Sequence, residues 1–243
     1  HEEFRLGDYA RAYVHYQKAR RILGSISEIP ATNAEAVNDI AKARLAAAIS
    51  LYRMGKISLS EYEIRQLLRL ERHIDGGTVV RALLQLSNVH REFGDFLMAE
   101  VEASRSLQIA EKSGDKQLEA YAHHALGSIY QEREEHDEAL NHFHAALGRY
   151  RDCGDLHEAL KVKRNLGPIY AARGQFREGV RLLKEARDEA RSLGHRWTVA
   201  SASAWLAEIH FRRGEFEASK QFIRESNAIA SGGDVHYVDI LFL

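Results

Sequence analysis

The segment Leu126-Gly-Ser-Ile-Tyr130 carries a pattern that returns along the chain at a constant step. Related segments follow one another at intervals of 40 residues: Leu86-Ser-Asn-Val-His90, Leu166-Gly-Pro-Ile-Tyr170 and Leu206-Ala-Glu-Ile-His210. A second motif keeps the same register: Gly94-Asp-Phe96, Glu134-Glu-His136, Gly174-Gln-Phe176 and Gly214-Glu-Phe216. A glycine closes each unit, at Gly114, Gly154 and Gly194. Three motifs in one register predict a protein built from internal repeats.

Each unit contains two stretches with helical periodicity. Apolar residues in the first half recur at i, i+4, i+7 and i+8, and those in the second half at i, i+4, i+7 and i+11. The first set is Ala122, Leu126, Ile129 and Tyr130, and the second is Ala139, Phe143, Ala146 and Tyr150. The glycines lie where these helices are expected to end. Each unit is therefore predicted to be a helical hairpin that buries its apolar face by stacking on its neighbours.

These residues resemble the signature of the tetratricopeptide repeat family. The matching positions are Leu126, Gly127, Tyr130, Ala139, Phe143 and Ala146. The step of 40 residues exceeds the usual ~34, so the chain is similar to the long form of MalT-like sensor regions, Rap-type proteins, LGN-type scaffolds and kinesin light chains. The resemblance implies an all-α fold, a right-handed superhelical solenoid of antiparallel helical hairpins.

The whole chain, residues 1–243, is predicted to be one such solenoid. We expect full hairpins at 34–73, 77–112, 115–152, 155–192 and 195–230, with partial repeats at both ends near 8–23 and 234–243. The first connection is longer than the others, and Ile57 replaces the aromatic residue that follows the glycine elsewhere. Because the chain begins at His1 without a methionine, we expect it to be part of a longer protein.

Composition excludes several classes of function. The chain has 34 Lys and Arg against 35 Asp and Glu, so it lacks the basic excess expected for direct nucleic-acid binding. No apolar run approaches the ~20 residues of a membrane span. A single cysteine, Cys153, allows no internal disulfide and favours the reducing cytoplasm.

Catalytic and metal-binding signatures are also missing from the sequence. No two of the 13 histidines lie three or four residues apart, so no helical histidine pair is available to a metal ion. There is no phosphate-binding glycine loop and no nucleophile elbow. We therefore expect no enzyme activity, no metal and no cofactor.

The resemblance implies that the first helix of each hairpin lines a ligand-binding groove. Stripes at i, i+3, i+7 and i+10 on these helices give eight of nine candidate groove residues, and the ninth, Asn165, lies beside the stripe: Arg81, Asn88, Arg91, Tyr121, His124, Gln131, Lys161, Arg164 and Asn165. Arginine side chains suit carboxylates, and asparagine amides suit a peptide backbone. An acidic peptide is the predicted ligand, and the alternative is an ordinary solvated surface.

Three further residues qualify this hypothesis. Pro168 lies inside a predicted helix, where it removes one backbone hydrogen bond. The resulting kink is either tolerated by the fold or shapes the binding site. Trp205 is predicted to pack inside the last full hairpin. Trp197 lies near a helix start and is the better candidate for a ligand contact.

Three functions remain open from the sequence. The first is a protein-interaction scaffold that binds a peptide or helix and forms part of a larger signalling protein. The second is an effector-sensing region of a bacterial transcription regulator or signalling ATPase. The third is a homodimer formed through the terminal helices, because Val235–Leu243 would leave an apolar face uncovered.

Overall fold

The computed structural model describes residues 34–230, together with Tyr13, Val14 and Gln17, which are helical. The predictions of helices at 8–23 and 234–243, and of an uncovered apolar face at 235–243, lie outside the described residues apart from these three. Residues 34–230 contain ten α-helices and no strand. They are α1 (Ala34–Arg53), α2 (Ile57–Leu68), α3 (Gly76–Glu92), α4 (Phe96–Ser113), α5 (Lys116–Glu132), α6 (His136–Asp152), α7 (Leu156–Ala172), α8 (Phe176–Ser192), α9 (Arg196–Arg212) and α10 (Phe216–Ala230).

The chain divides into two compact units, residues 1–129 and 130–243, and the boundary falls inside α5. In the first unit α1 packs against α2 and α3 packs against α4. In the second unit α7 packs against α8 and α9 packs against α10. Successive helices joined by turns of a few residues form antiparallel hairpins, so the predicted all-α fold of stacked hairpins is confirmed.

Glycines in the left-handed conformation end the helices as the sequence predicts. Gly174, for example, has φ +77° at the end of α7, where a side chain would strain the backbone. One repeat departs from this rule, because Glu134 takes the same place with φ 60°. A polar side chain therefore occupies a position that its four counterparts, Gly55, Gly94, Gly174 and Gly214, fill with glycine.

The second helix of the hairpin predicted at 34–73 ends before residue 73. The α-helix ends at Leu68, and a short 3-10 helix follows at Glu71–His73. Here the backbone closes with i→i+3 hydrogen bonds from Leu70 N–H to Leu67 O and from His73 N–H to Leu70 O, both 2.8 Å. This connection has no left-handed glycine, so the helix tightens gradually instead of stopping in one step.

Each unit has an apolar core made of residues from the facing helix stripes. In the first unit Leu45, Ile64 and Leu86 bring α1, α2 and α3 together. In the second unit Leu183 and Leu206 join α8 and α9. Close approach of α7 and α8 depends on Gly167 and Gly179, since a Cβ at Gly179 would lie 2.5 Å from the Gly167 carbonyl oxygen.

Candidate functional site

The first-helix surface of the second unit is built on α7 and α9. Helix α7 begins at an N-cap, Asp155, whose carboxylate accepts a hydrogen bond from the Glu158 N–H at 3.2 Å. Lys161, Arg164 and Pro168 then follow at i, i+3 and i+7, which places them on one side of the helix. Helix α9 packs against both α7 and α8. The outward side of α7 therefore lies next to the start of α9.

Arg164 is the centre of this surface. Its guanidinium carbon lies 4.4 Å from the centre of the Trp197 ring, a cation–π geometry. Nη1 donates to the Ser201 hydroxyl at 3.3 Å, and Nε donates to Asn165 Oδ1 at 3.1 Å. Nη2 also donates to Asn165 Oδ1. Every one of these partners is uncharged.

The charge of Arg164 is only partly compensated. Burial lowers the pKa of its guanidinium to about 10, while the nearby Glu158 carboxylate acts in the opposite direction. The group stays protonated at neutral pH. Within residues 34–230 no carboxylate lies at ion-pair distance from Arg164, and Glu158 pairs with Lys161 at 2.5 Å instead. A half-buried cation held by neutral groups is an electrostatic site for an anion.

The nine predicted groove residues fall into two groups, one in each unit. The second unit holds Gln131, Lys161, Arg164 and Asn165, of which Arg164 and Asn165 are in direct contact. Asn165 was expected to offer its amide to a ligand backbone, and in the structure its oxygen holds the Arg164 guanidinium. Lys161 lies one helical turn before Arg164 and is paired with Glu158.

The first unit holds the other five predicted residues. Asn88 Oδ1 accepts a hydrogen bond from Arg91 Nη1 at 3.2 Å, and Arg81 is exposed on the same helix, α3. Tyr121 and His124 are half-buried on α5, where the Tyr121 hydroxyl accepts a hydrogen bond from Gln117 Nε2 at 3.3 Å. These residues are polar, and among them Arg91 is half-buried and Arg81 is exposed.

Trp205 packs as its position predicts, and the ligand contact expected of Trp197 stays a prediction. Trp205 is partly buried against the core that contains Leu183 and Leu206. Trp197 is half-exposed and stacks on Arg164. The stack itself was missed by sequence reasoning. Local periodicity does not reveal it, because the contact depends on how α7 and α9 pack.

Two kinds of site have no support in the part of the chain that the structure describes. Residues 34–230 contain no group of three or more His, Cys, Asp or Glu side chains placed to hold a metal ion. No helix among them is both long and apolar enough to cross a lipid bilayer.

Comparison with known proteins identifies the repeat. Residues 78–152 match the tetratricopeptide repeat family. The regulatory protein AfsR of Streptomyces griseus is 32% identical over 105 residues, which cover 43% of this chain and 11% of that protein. The chain thus spans about a tenth of the length of this curated relative.

Two solved structures share the fold at low sequence identity. One is the Rap conjugation gene regulator of the plasmid pLS20 in complex with the Phr* peptide, with a TM-score of 0.68 and 15% identity over 93% of this chain and 70% of that one. The other is a signal transduction ATPase of Pyrococcus horikoshii with a tetratricopeptide repeat sensor. Its TM-score is 0.70 with 18% identity, over 90% of this chain and 34% of that one.

The predicted resemblance to tetratricopeptide repeat proteins is confirmed by the family match and by these structural neighbours. Together with the regulatory relative, they support a repeat domain of the protein-interaction or regulatory kind.

Proposed function

We propose that this tetratricopeptide repeat segment is a peptide-binding module of a larger regulatory protein, and that Arg164 binds a carboxylate of the peptide. The observation that carries the proposal is the environment of Arg164. Its guanidinium is protonated, half-buried and surrounded by Trp197, Asn165 and Ser201, none of which neutralises it.

The chemistry of arginine favours a carboxylate as the ligand group. The planar guanidinium can donate two parallel hydrogen bonds to the two oxygens of a carboxylate. Trp197 covers one face of the plane and Asn165 holds Nε and Nη2, so the orientation of the group is fixed before a ligand arrives. Binding then costs little side-chain entropy. The carboxylate of an acidic side chain and that of a peptide C-terminus both meet these requirements.

The peptide part of the proposal is supported by the fold. A Rap regulator of the same fold is known in complex with a peptide. Lys161 and Gln131, in the same unit as Arg164, are proposed as further polar contacts, and the groove role of Arg81, Asn88, Arg91, Tyr121 and His124 in the first unit stays a separate prediction. An acidic peptide suits the cationic Lys161 and Arg164. This role is a binding one, and we propose no catalysis, no nucleic-acid contact and no cofactor.

A selection from a random peptide library displayed on phage tests the proposal. We expect peptides selected on the wild-type segment to be enriched in Asp, Glu or a free C-terminal carboxylate. Arg164→Gln should weaken the affinity of the selected peptides by at least about tenfold, the size of a charge-assisted hydrogen bond. Arg177→Gln, at an exposed position on α8 of the same hairpin, is the matched control and should leave affinity unchanged. Equal binding by wild type and Arg164→Gln would show that Arg164 does not bind the peptide.

A second candidate function is an effector-sensing region of a transcription regulator or signalling ATPase. The regulatory relative and the ATPase with a repeat sensor favour it. In this case Arg164 would bind the acid group of a small effector. A thermal-shift screen of small carboxylic acids distinguishes the two candidate functions. The sensor is supported if an acid raises the Tm of the wild type but not of Arg164→Gln, and if the phage selection yields no binding peptide.

A further inference from the structure

A cavity of about 230 Å³ lies in the second unit, where the end of α6, the first half of α7 and the end of α8 meet. We call it the α6–α8 cavity. Leucine side chains form most of its apolar wall, and three charged side chains, Arg151, Lys163 and Glu189, also line it. Sites for drug-sized ligands are usually larger, about 300–1,000 Å³. The α6–α8 cavity therefore suits a smaller molecule.

The apolar wall of the cavity is partly exposed to solvent. Leu147 is buried, whereas Leu156 and Leu193 keep 57% and 46% of their surface exposed. A single exposed leucine is ordinary on a protein surface. These two line one cavity, so a ligand bound there would remove both from water. The wall thus favours a molecule with a hydrocarbon part.

The charges of the lining leave one cation without a carboxylate. Lys163 is buried, and it pairs with Glu189 at 2.5 Å and with Glu185 at 3.7 Å. Arg151 forms no side-chain hydrogen bond and no ion pair within residues 34–230. Asp152, the next residue on α6, does not line the cavity. The lining therefore offers one carboxylate for two cations, and Lys163 holds it.

The next hairpin shows what an arginine in this place binds. A shift of 40 residues along the repeat relates three pairs of residues: Arg151 and Arg191, Lys163 and Ser203, and Glu185 and Glu225. Arg191 Nη2 donates to Glu225 Oε1, and the Ser203 hydroxyl donates to Glu225 Oε2 at 3.1 Å. The arginine at this position of the repeat is thus bound to a carboxylate of the chain itself.

The carboxylate is diverted in the hairpin that carries the cavity. Lys163 stands where the next hairpin has the neutral Ser203, and this cation attracts Glu185. Arg181 on α8 holds the same carboxylate from its other side. Arg151 therefore has the place of Arg191 without its carboxylate, and it lines an open cavity instead.

We propose that the α6–α8 cavity binds a small amphipathic carboxylic acid. The carboxylate of the ligand binds Arg151 as Glu225 binds Arg191, and the hydrocarbon chain covers Leu156 and Leu193. This cavity shares no residue with the surface formed by Arg164 and its partners. The site is additional to the proposed peptide function and does not depend on it.

Hexanoate, hexanol and hexylammonium test the proposal, because they share one chain length and differ in the charge of the head group. An NMR titration of the wild-type chain should show saturable shifts of amides around the cavity with hexanoate, with a Kd of about 1 mM or lower. Hexanol and hexylammonium should bind at least about tenfold more weakly, since neither supplies a carboxylate to Arg151.

Two variants separate the charged and apolar parts of the site. Arg151→Gln should weaken hexanoate binding at least about tenfold and leave hexanol binding unchanged. Leu156→Gln/Leu193→Gln should weaken the binding of both. These positions are exposed, so the helical circular-dichroism spectrum should stay that of the wild type. If the leucine variant loses helicity, Arg151→Gln alone decides. Arg177→Gln, exposed on α8 outside the cavity, is the matched control and should change neither affinity.

Several results would overturn the proposal. These are the absence of saturable shifts up to about 10 mM hexanoate, equal affinity for hexanoate and hexanol, and equal hexanoate affinity of wild type and Arg151→Gln. Hexanoate binding that Arg164→Gln abolishes and Arg151→Gln retains would assign the acid to the Arg164 surface. None of these results changes the outcome of the peptide selection, because that selection is judged on Arg164→Gln.

Discussion

The Arg164 guanidinium lies over the Trp197 ring at 4.4 Å, and this contact joins the first helices of two successive hairpins. Residues 33 positions apart in sequence thereby form one surface. The ring shields the cation from water without neutralising it, and this leaves its electrostatic attraction available to a ligand.

Trp197→Ala should weaken both the fold and the ligand site. Loss of the stacked ring removes a half-buried cation–π contact worth about 1 kcal/mol, so the free energy of unfolding should fall by about 1–2 kcal/mol once lost packing is included. Denaturation in urea measures this change. Trp197→Phe keeps a ring over Arg164 and should recover at least half of the loss. If Trp197→Ala is as stable as wild type, the contact does not order Arg164.

Gly167 should be intolerant of any side chain. A Cβ at this position would lie 2.4 Å from Leu183 Cγ, in the closely packed interface of α7 and α8. We expect Gly167→Ala to lower the free energy of unfolding by about 1–3 kcal/mol through overpacking. Gly148→Ala, on α6, is the matched control, because no atom lies within 4 Å of the position that the added Cβ would take. It should raise stability by about 0.5–1 kcal/mol through helix propensity. The same sign for both substitutions would refute the close contact.

Glycine at position 134 should make the protein at least as stable as glutamate does. It adopts φ 60°, where a side chain costs about 1 kcal/mol, although glycine loses about as much backbone entropy on folding. Glu134→Gly should therefore leave the free energy of unfolding unchanged or raise it by up to about 1 kcal/mol. Gly174→Ala, at φ +77° in the equivalent turn, should lower it by about 1 kcal/mol. A destabilised Glu134→Gly would show that the side chain makes a contact that outweighs the strain.

Pro168 lies inside α7 and removes the N–H that would bond to the Arg164 carbonyl. Pro168→Ala restores this hydrogen bond, and we expect the free energy of unfolding to rise by about 1–3 kcal/mol. Ligand affinity should fall only if the proline shapes the Arg164 site. Unchanged affinity in a more stable variant would identify Pro168 as a tolerated kink.

The helices could be predicted closely because their ends are encoded locally. Glycine at a fixed step favours a left-handed turn, and seven of the ten described helices are followed by such a glycine. Helix α2 lacks one and ends early, at Leu68. Glu134 shows the limit of the rule, since the repeat register indicates its left-handed backbone while its residue type does not.

The site could be predicted only in part. The stripe on α7 contains Arg164, but the sequence gives no sign that Asn165 turns back to hold it or that Trp197 covers it. Those contacts depend on how α7 and α9 pack, which local periodicity does not determine.

A double-mutant cycle between Arg164 and the peptide carboxylate tests the central claim most directly. Calorimetry measures the affinity of one selected peptide and of its amide analogue for the wild type and for Arg164→Gln. In the analogue, Asp or Glu is changed to Asn or Gln, or the C-terminus is amidated. We predict a coupling free energy of at least about 1.5 kcal/mol, as expected for a charge-assisted hydrogen bond in a partly desolvated site. A coupling near zero would contradict the account, because the carboxylate would then be recognised elsewhere on the molecule.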